Sequence, residues 1–197
     1  MIEILNYQND FETEWVKLRA RVASRSHTWD FIERNKVSYE NPAIELVLLS
    51  DKKIIGYIDA EMESTAGQIS WESDSIGAVV QEFGVDPDYQ KHGYGRMLLK
   101  ELSARLLARN IFRVEFWTKD PKSVKFYQHL KFRELFCHQH FRISADDIEI
   151  LKTQNKWKPI YAYMIKNTSQ KINNAIQETP LESHACYGFE WNLRNQL

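Results

Sequence analysis

The chain has 197 residues, 43% hydrophobic and 27% charged, with a formal net charge of -1. This suits one globular domain with a sizeable core and excludes a disordered chain, and a charge so near zero argues against general affinity for nucleic acid or acidic membranes. No stretch is apolar for long enough to span a bilayer. The start, Met1-Ile2-Glu3-Ile4, lacks a signal peptide's basic flank and apolar core, and Cys137 and Cys186 fit no metal spacing. The expectation is one cytoplasmic domain over residues 1–197, with reduced thiols, no metal, and neither nucleic acid nor membrane as partner.

Ile2 to Tyr7 reads as a short first strand. Asn9-Asp10 then supplies a helix cap, Glu12 and Glu14 sit in the first turn, and Phe11, Trp15, Leu18 and Val22 fall on one helical face. Arg19, Arg21 and Arg25 lie near the end of this helix, where they suit its dipole as a solvated face. Ser26 to Lys36, with Trp29 and Phe31, is expected to hold a second short helix that ends before Asn41-Pro42. Ile44 to Leu49 and Ile54 to Met62 are β-rich runs joined at Asp51-Lys52-Lys53 as a hairpin, and Ser64 to Ser75 is a polar loop. Asp59, Glu61, Glu63, Glu72 and Asp74 cluster around that loop. Solvated loop charge is the first reading of them, and selection of a cationic ligand such as a polyamine or aminoglycoside the second.

A central strand follows. Strict alternation puts Val79, Phe83 and Val85 on one side and Val80, Glu82 and Gly84 on the other, which makes Glu82 the single charge on its surface unless a bulge intervenes. After Asp86-Pro87, the run Gln90-Lys91-His92-Gly93-Tyr94-Gly95-Arg96 leads directly into a helix with the apolar stripe Leu98, Leu99, Leu102 and Leu106. The first N–H groups of such a helix converge on one spot with the positive end of the dipole behind them, which makes an anion site suited to phosphate. Gly93 and Gly95 let a ligand approach the backbone, while Lys91, His92 and Arg96 add positive charge. Leu98 stands where a dinucleotide fingerprint needs its third glycine, and Arg96-Met97 stands where a P-loop needs Lys-Ser/Thr, so both of those readings fail.

Asn110 is expected to end this helix. Ile111 to Thr118 is the next strand, able to lie parallel to the central one through a right-handed crossover. Asp120-Pro121 caps a third helix that carries Ser123, Phe126 and Tyr127, and Phe132 to Ile143 continues as a strand. Ala145 to Thr153 and Ile172 to Gln177 read as helical, Trp157 to Ile165 as helix or strand, and Ala185 to Leu193 as the last strand.

The pattern Q-x-x-G-x-G at Gln90, Gly93 and Gly95, after Val85-Asp86-Pro87, resembles the acyl-CoA pyrophosphate loop of the GNAT superfamily of N-acetyltransferases. The third helix strengthens the resemblance: the family's Asn, Ala or Ser, Phe-Tyr and Gly-Phe are matched in order and spacing by Asp120, Ser123, Phe126-Tyr127 and Lys131-Phe132. Asp for Asn and Lys for Gly are the two departures. The resemblance covers about residues 44–143. It implies an α/β (α+β) GNAT fold: a mixed, mostly antiparallel sheet of about six to seven strands, splayed between two parallel central strands and flanked by helices. The stretch of about 145–184 before the last strand is longer than that plan needs; ordinary packing is its first reading, and a cap on the acceptor pocket or a homodimer contact are the others.

The resemblance further implies acetyl-CoA as co-substrate, held by Phe83, Gly84, Val85, the loop from Gln90 to Arg96, Asp120, Ser123 and Phe126. The acceptor would be a primary amine of a small molecule or peptide, attacked directly in a ternary complex. Tyr127 would be the general acid, since a phenol near ~10 is close to matched to a thiol near ~8.5, and Glu82 the base for an ammonium near ~10.4. A backbone N–H near Val85 would polarise the thioester oxygen. The alternative is a non-catalytic acyl-CoA-binding or sensing module.

Overall fold

The structure, a computed structural model, describes residues 1–26, 34–141, 163–165 and 183–194. Its strands are β1 (Ile2–Asn6), β2 (Ala43–Ser50), β3 (Lys53–Met62), β4 (Ala78–Val85), β5 (Arg113–Thr118), β6 (Arg133–Phe141), β7 (Tyr163–Ile165) and β8 (Ser183–Asn192); its α-helices are α1 (Glu12–Ala23), α2 (Tyr94–Leu107) and α3 (Pro121–His129). They form one mixed, mostly antiparallel sheet in the order β1-β2-β3-β4-β5-β8-β6-β7. That is one strand more than expected, with the three-residue β7 at the edge. The helix expected over 26–36 falls mainly on residues 27–33, and those expected over 145–153 and 172–177, with residues 157–162, also lie outside the described residues.

The sheet is covered on both faces. Trp15 and Leu18 of α1 pack on Val47, Leu49 and Tyr57, while the leucine stripe of α2 and Tyr127 of α3 join Leu46, Ile58 and Phe116 on the other side. The start of α1 differs from expectation: Asn9–Phe11 makes one 3-10 turn, and Phe11, drawn towards the Trp15 cluster, caps α1 without a side-chain bond. The β2–β3 hairpin turns on Asp51 and Lys52, both left-handed at φ 49° and 69°, the pair of conformations whose twist suits adjoining strands.

Two irregularities in β4 shape the site. The β3–β4 register shifts so that Asp59 faces Glu82 while Ala60 faces Val80, leaving Gln81 as an extra residue. This bulge overturns the strict alternation: Phe83 and Val85 join Val80 in the core on the α2 side, and Glu82 turns to the α1 face, where Arg19 meets it. The second irregularity is that β4 and β5 pair in parallel only from Ala78↔Val114 to Val80↔Phe116. Beyond that point each strand keeps only its outer neighbour, and the sheet opens.

The acidic stretch before β4 is only partly solvated. Asp74 is exposed and Glu72 half-buried, as solvated loop charge requires, but Asp59, Glu61 and Glu63 are all buried. Glu63 accepts from Gly77 and Ser70 N–H and meets Arg113, which also bonds Glu115 and the carbonyls of Glu72 and Ser75, tying the 64–77 loop to β5.

Candidate active site

Gly93 caps α2 in the left-handed conformation, at φ 84°. Met97 N–H is the first to bond back into the helix, reaching Gly93 O at 3.1 Å, so the N–H groups of Tyr94, Gly95 and Arg96 stand ahead of the first helical bond. Gln90 Nε2 donates to Val85 O at 3.1 Å and ties the loop to the end of β4. A Cβ on Gly93 would meet nothing within 4 Å, whereas one on Gly95 would touch Phe83 and Phe126 at 3.5 and 3.6 Å. The loop is thus an open cradle of backbone donors.

A cavity of about 800 Å³ extends from this cradle along the parted edges of β4 and β5 to Tyr127. Its wall contains Glu82, Phe83, Val85, Gln90, Lys91, Gly93, Tyr94, Gly95, Arg96, Asp120, Ser123, Phe126 and Tyr127 from among the expected residues. Gly84 and His92 stand apart from it. A Cβ on Gly84 would strike Tyr57 Oη at 2.6 Å, and the His92 ring turns back to Gln90 O at 2.8 Å. Lys91 and Arg96 are joined on the wall by Arg25, Lys119 and Lys122, a positive lining suited to an anionic ligand. Lys122 comes from the first turn of α3, while Arg25, Lys119, Arg19, Phe116, Trp117 and Cys186 come from α1, β5, β8 and the turns after α1 and β5, with no local motif to mark them.

Asp120 caps α3, its Oδ2 accepting from Ser123 N at 3.2 Å and Ser123 Oγ at 3.1 Å. Its Oδ1 is buried without a partner on the same wall, which is what an arriving amide donor would satisfy. The buried Tyr127 is fixed by the end of α3: Lys131, at φ 59°, donates to Gln128 O, and Phe132 N–H donates to Tyr127 O, with the Tyr127 and Phe132 rings stacked at 5.8 Å. Burial, with the Asp120 charge adding to it, raises the phenol well above its usual value. Cys186 on the same wall acts as a local probe: burial pushes its thiol up to about 11, so a thiolate is disfavoured there.

Glu82 is only 16% exposed and pairs with Arg19 of α1 at 2.7 Å. Arg19 is therefore not part of a solvated face, and Arg21 likewise pairs with Asp88 and the buried Asp86. Arg19, Gln81 and Glu82 also belong to a second cavity, of about 670 Å³, on the α1 side. The bulge thus sets one carboxylate where the two cavities meet.

The fold agrees with known proteins. The chain aligns over 98% of its length with 94% of the ribosomal-protein-S18-alanine N-acetyltransferase from Escherichia coli, at 14% identity and TM-score 0.59. It covers 99% of a probable acetyltransferase from Staphylococcus epidermidis ATCC 12228, over 98% of its own length, at 11% identity and TM-score 0.60. A third likeness is the paia N-acetyltransferase from Thermoplasma acidophilum in complex with coenzyme A: 69% of this chain, 91% of that one, 14% identity, TM-score 0.52. No curated protein sequence matches the chain at a significant level. At such identities these structures speak for the fold, while the profile of the acetyltransferase (GNAT) family matches residues 4–132, the span that carries α1, the β4 bulge, the glycine loop and Tyr127. The chain belongs to the GNAT family of acetyltransferases.

Proposed function

We propose that the protein moves an acetyl group from acetyl-CoA to a primary amine by direct attack in a ternary complex. The observation that supports this most is the single cavity joining the α2 cradle to Tyr127 and Glu82. The N–H groups of Tyr94, Gly95 and Arg96, with Lys91 and Arg96 side chains, would hold the diphosphate, and Gln90, Asp120, Ser123 and Phe126 the arm beyond it. When bound, the co-substrate supplies an acetyl thioester.

An alkylammonium must lose a proton before it can attack, at a cost of roughly 4 kcal/mol at pH 7 if nothing accepts it. Glu82, directly or through a water, is the acceptor, and Arg19 steadies its carboxylate. A backbone N–H near Val85, beside the opening between β4 and β5, polarises the thioester oxygen. Tyr127 then gives its proton to the departing sulfur. Its raised affinity for that proton keeps it in the acid form throughout the neutral range, and burial of the kind that pushes Cys186 up disfavours a leaving thiolate in the same way, which keeps the transfer close to balanced.

Thiol release from acetyl-CoA, measured over a panel of amines and peptides, tests this reading. Release stimulated by some amine is expected, with kcat lowered about 10²- to 10³-fold in Tyr127→Phe and acetyl-CoA affinity unchanged. Full activity in Tyr127→Phe would remove the assigned acid.

A further inference from the structure

The α1-side cavity has its own chemistry. Glu61 lines it, is 7% exposed, and accepts from Asn41 N at 3.1 Å, Asn41 Nδ2 at 2.9 Å and Gln81 Nε2 at 3.0 Å. All three donors are neutral, and among the described residues no cation pairs with it. Buried carboxylates are ordinarily matched by a cation, and among the described residues the neighbours of Glu61 on this face each have one: buried Asp59 has Lys36, buried Glu63 has Arg113 and half-buried Glu82 has Arg19. Glu61 is therefore a carboxyl group inside a cavity, oriented by neutral donors and without a counter-cation among the described residues. Glu40, exposed, stands on the same wall.

Glu61 and Glu82 share a face. Asp59 faces Glu82 across the β3–β4 ladder, and Glu61 is two residues farther along β3. Two residues of rise and one strand spacing put their backbones roughly 8 Å apart. An acceptor whose reacting amine reaches Glu82 has, a short aliphatic spacer away, a second carboxylate that lacks a counter-cation.

We propose that the acceptor is a diamine or polyamine whose reacting amine engages Glu82 and whose second ammonium is bound by Glu61, with Glu40 drawing cations to the mouth. This rests on the acetyl-transfer reading above and adds the substrate class to it. Arg19, which among the described residues is the cation shared by the two cavities, already pairs with Glu82, so the incoming ammonium competes with a guanidinium for that carboxylate. The uncompensated Glu61 then favours acceptors that carry two charges over those that carry one.

The test compares putrescine and cadaverine with n-butylamine, first by thiol release and then by calorimetric binding to the protein in the presence of CoA. The diamines should exceed the monoamine in kcat/KM roughly ten- to hundredfold, the range of one charged hydrogen bond. Glu61→Gln, which keeps the shape and the Asn41 contacts, should abolish that preference, leave the monoamine rate and acetyl-CoA affinity unchanged, and weaken diamine binding by the same factor. Glu40→Lys, an exposed change that does not endanger folding, should weaken diamine binding about threefold or more and flatten its response to salt. Equal rates for diamine and monoamine, a preference that survives Glu61→Gln, or faster turnover of peptides or amino acids would each overturn the proposal. If no amine turns over, the transfer reading fails alone, and calorimetric diamine binding that is lost in Glu61→Gln still supports the cation site.

Discussion

At the scale of single residues, the proposed base and the proposed diphosphate cradle separate in measurement. Glu82→Gln should lower kcat/KM for an amine about 10²-fold at pH 7, with activity recovering as pH rises towards the amine's own ~10.4, because water then removes the proton that the carboxylate took; a pH profile unchanged from wild type would place the base elsewhere. Gly93→Val should reduce acetyl-CoA affinity at least tenfold by calorimetry. No neighbour obstructs the new side chain, but an L residue at φ 84° is strained and the cradle must shift. Tyr127 and the glycine loop were legible in the sequence because each sits in a short pattern of fixed spacing. Arg19 was not. Its partner is 63 residues away, and a lone arginine near a helix end reads as well for solvent as for an ion pair.

At the scale of elements, the α3 terminus offers a clean experiment. Lys131 holds the left-handed position that glycine fills most easily, so Lys131→Gly should stabilise the protein by about 1 kcal/mol and raise Tm by about 2–4 °C, with kcat unchanged because the bond from Phe132 N–H to Tyr127 O is retained. A fall in Tm would mean that the lysine side chain does more than cap. Helix α3, the hairpin and the β4–α2–β5 crossover were readable from caps, turn residues and periodicity. The facing of β4 was not. One extra residue at Gln81 inverts the parity of everything after it, and nothing in an apolar run of period 2 announces where a bulge falls.

At the scale of the whole molecule, the buried charges make stability depend on pH. Asp59 is fully buried, with one oxygen serving Lys36 and Tyr39 and the other without a partner. Desolvation outweighs the Lys36 attraction and raises its pKa from 3.8 to about 6. Because the folded state holds this proton more tightly, the contribution is greatest below pH 3.8 and is lost as pH rises through about 6, an amount on the order of 3 kcal/mol. Denaturant midpoints should therefore show wild-type stability relative to Asp59→Asn falling between pH 4 and 6.5 and level above that; a difference that grows with pH would mean that the ion pair with Lys36 prevails. The acidic stretch that contains Asp59 looked solvated in sequence because its counter-charges, Lys36 and Arg113, lie far along the chain.

The brief pairing of β4 with β5 reaches beyond the site it opens. Three residue pairs stitch a leaf made of β1 to β4 to a leaf made of β5, β8, β6 and β7, and the cavity proposed for acetyl-CoA runs along that short seam. A ligand bridging that seam acts as a clasp. Saturating acetyl-CoA should raise Tm by mass action and slow amide exchange on the inner strands of both leaves together, while protection confined to one leaf would mean that the clasp grips only one side.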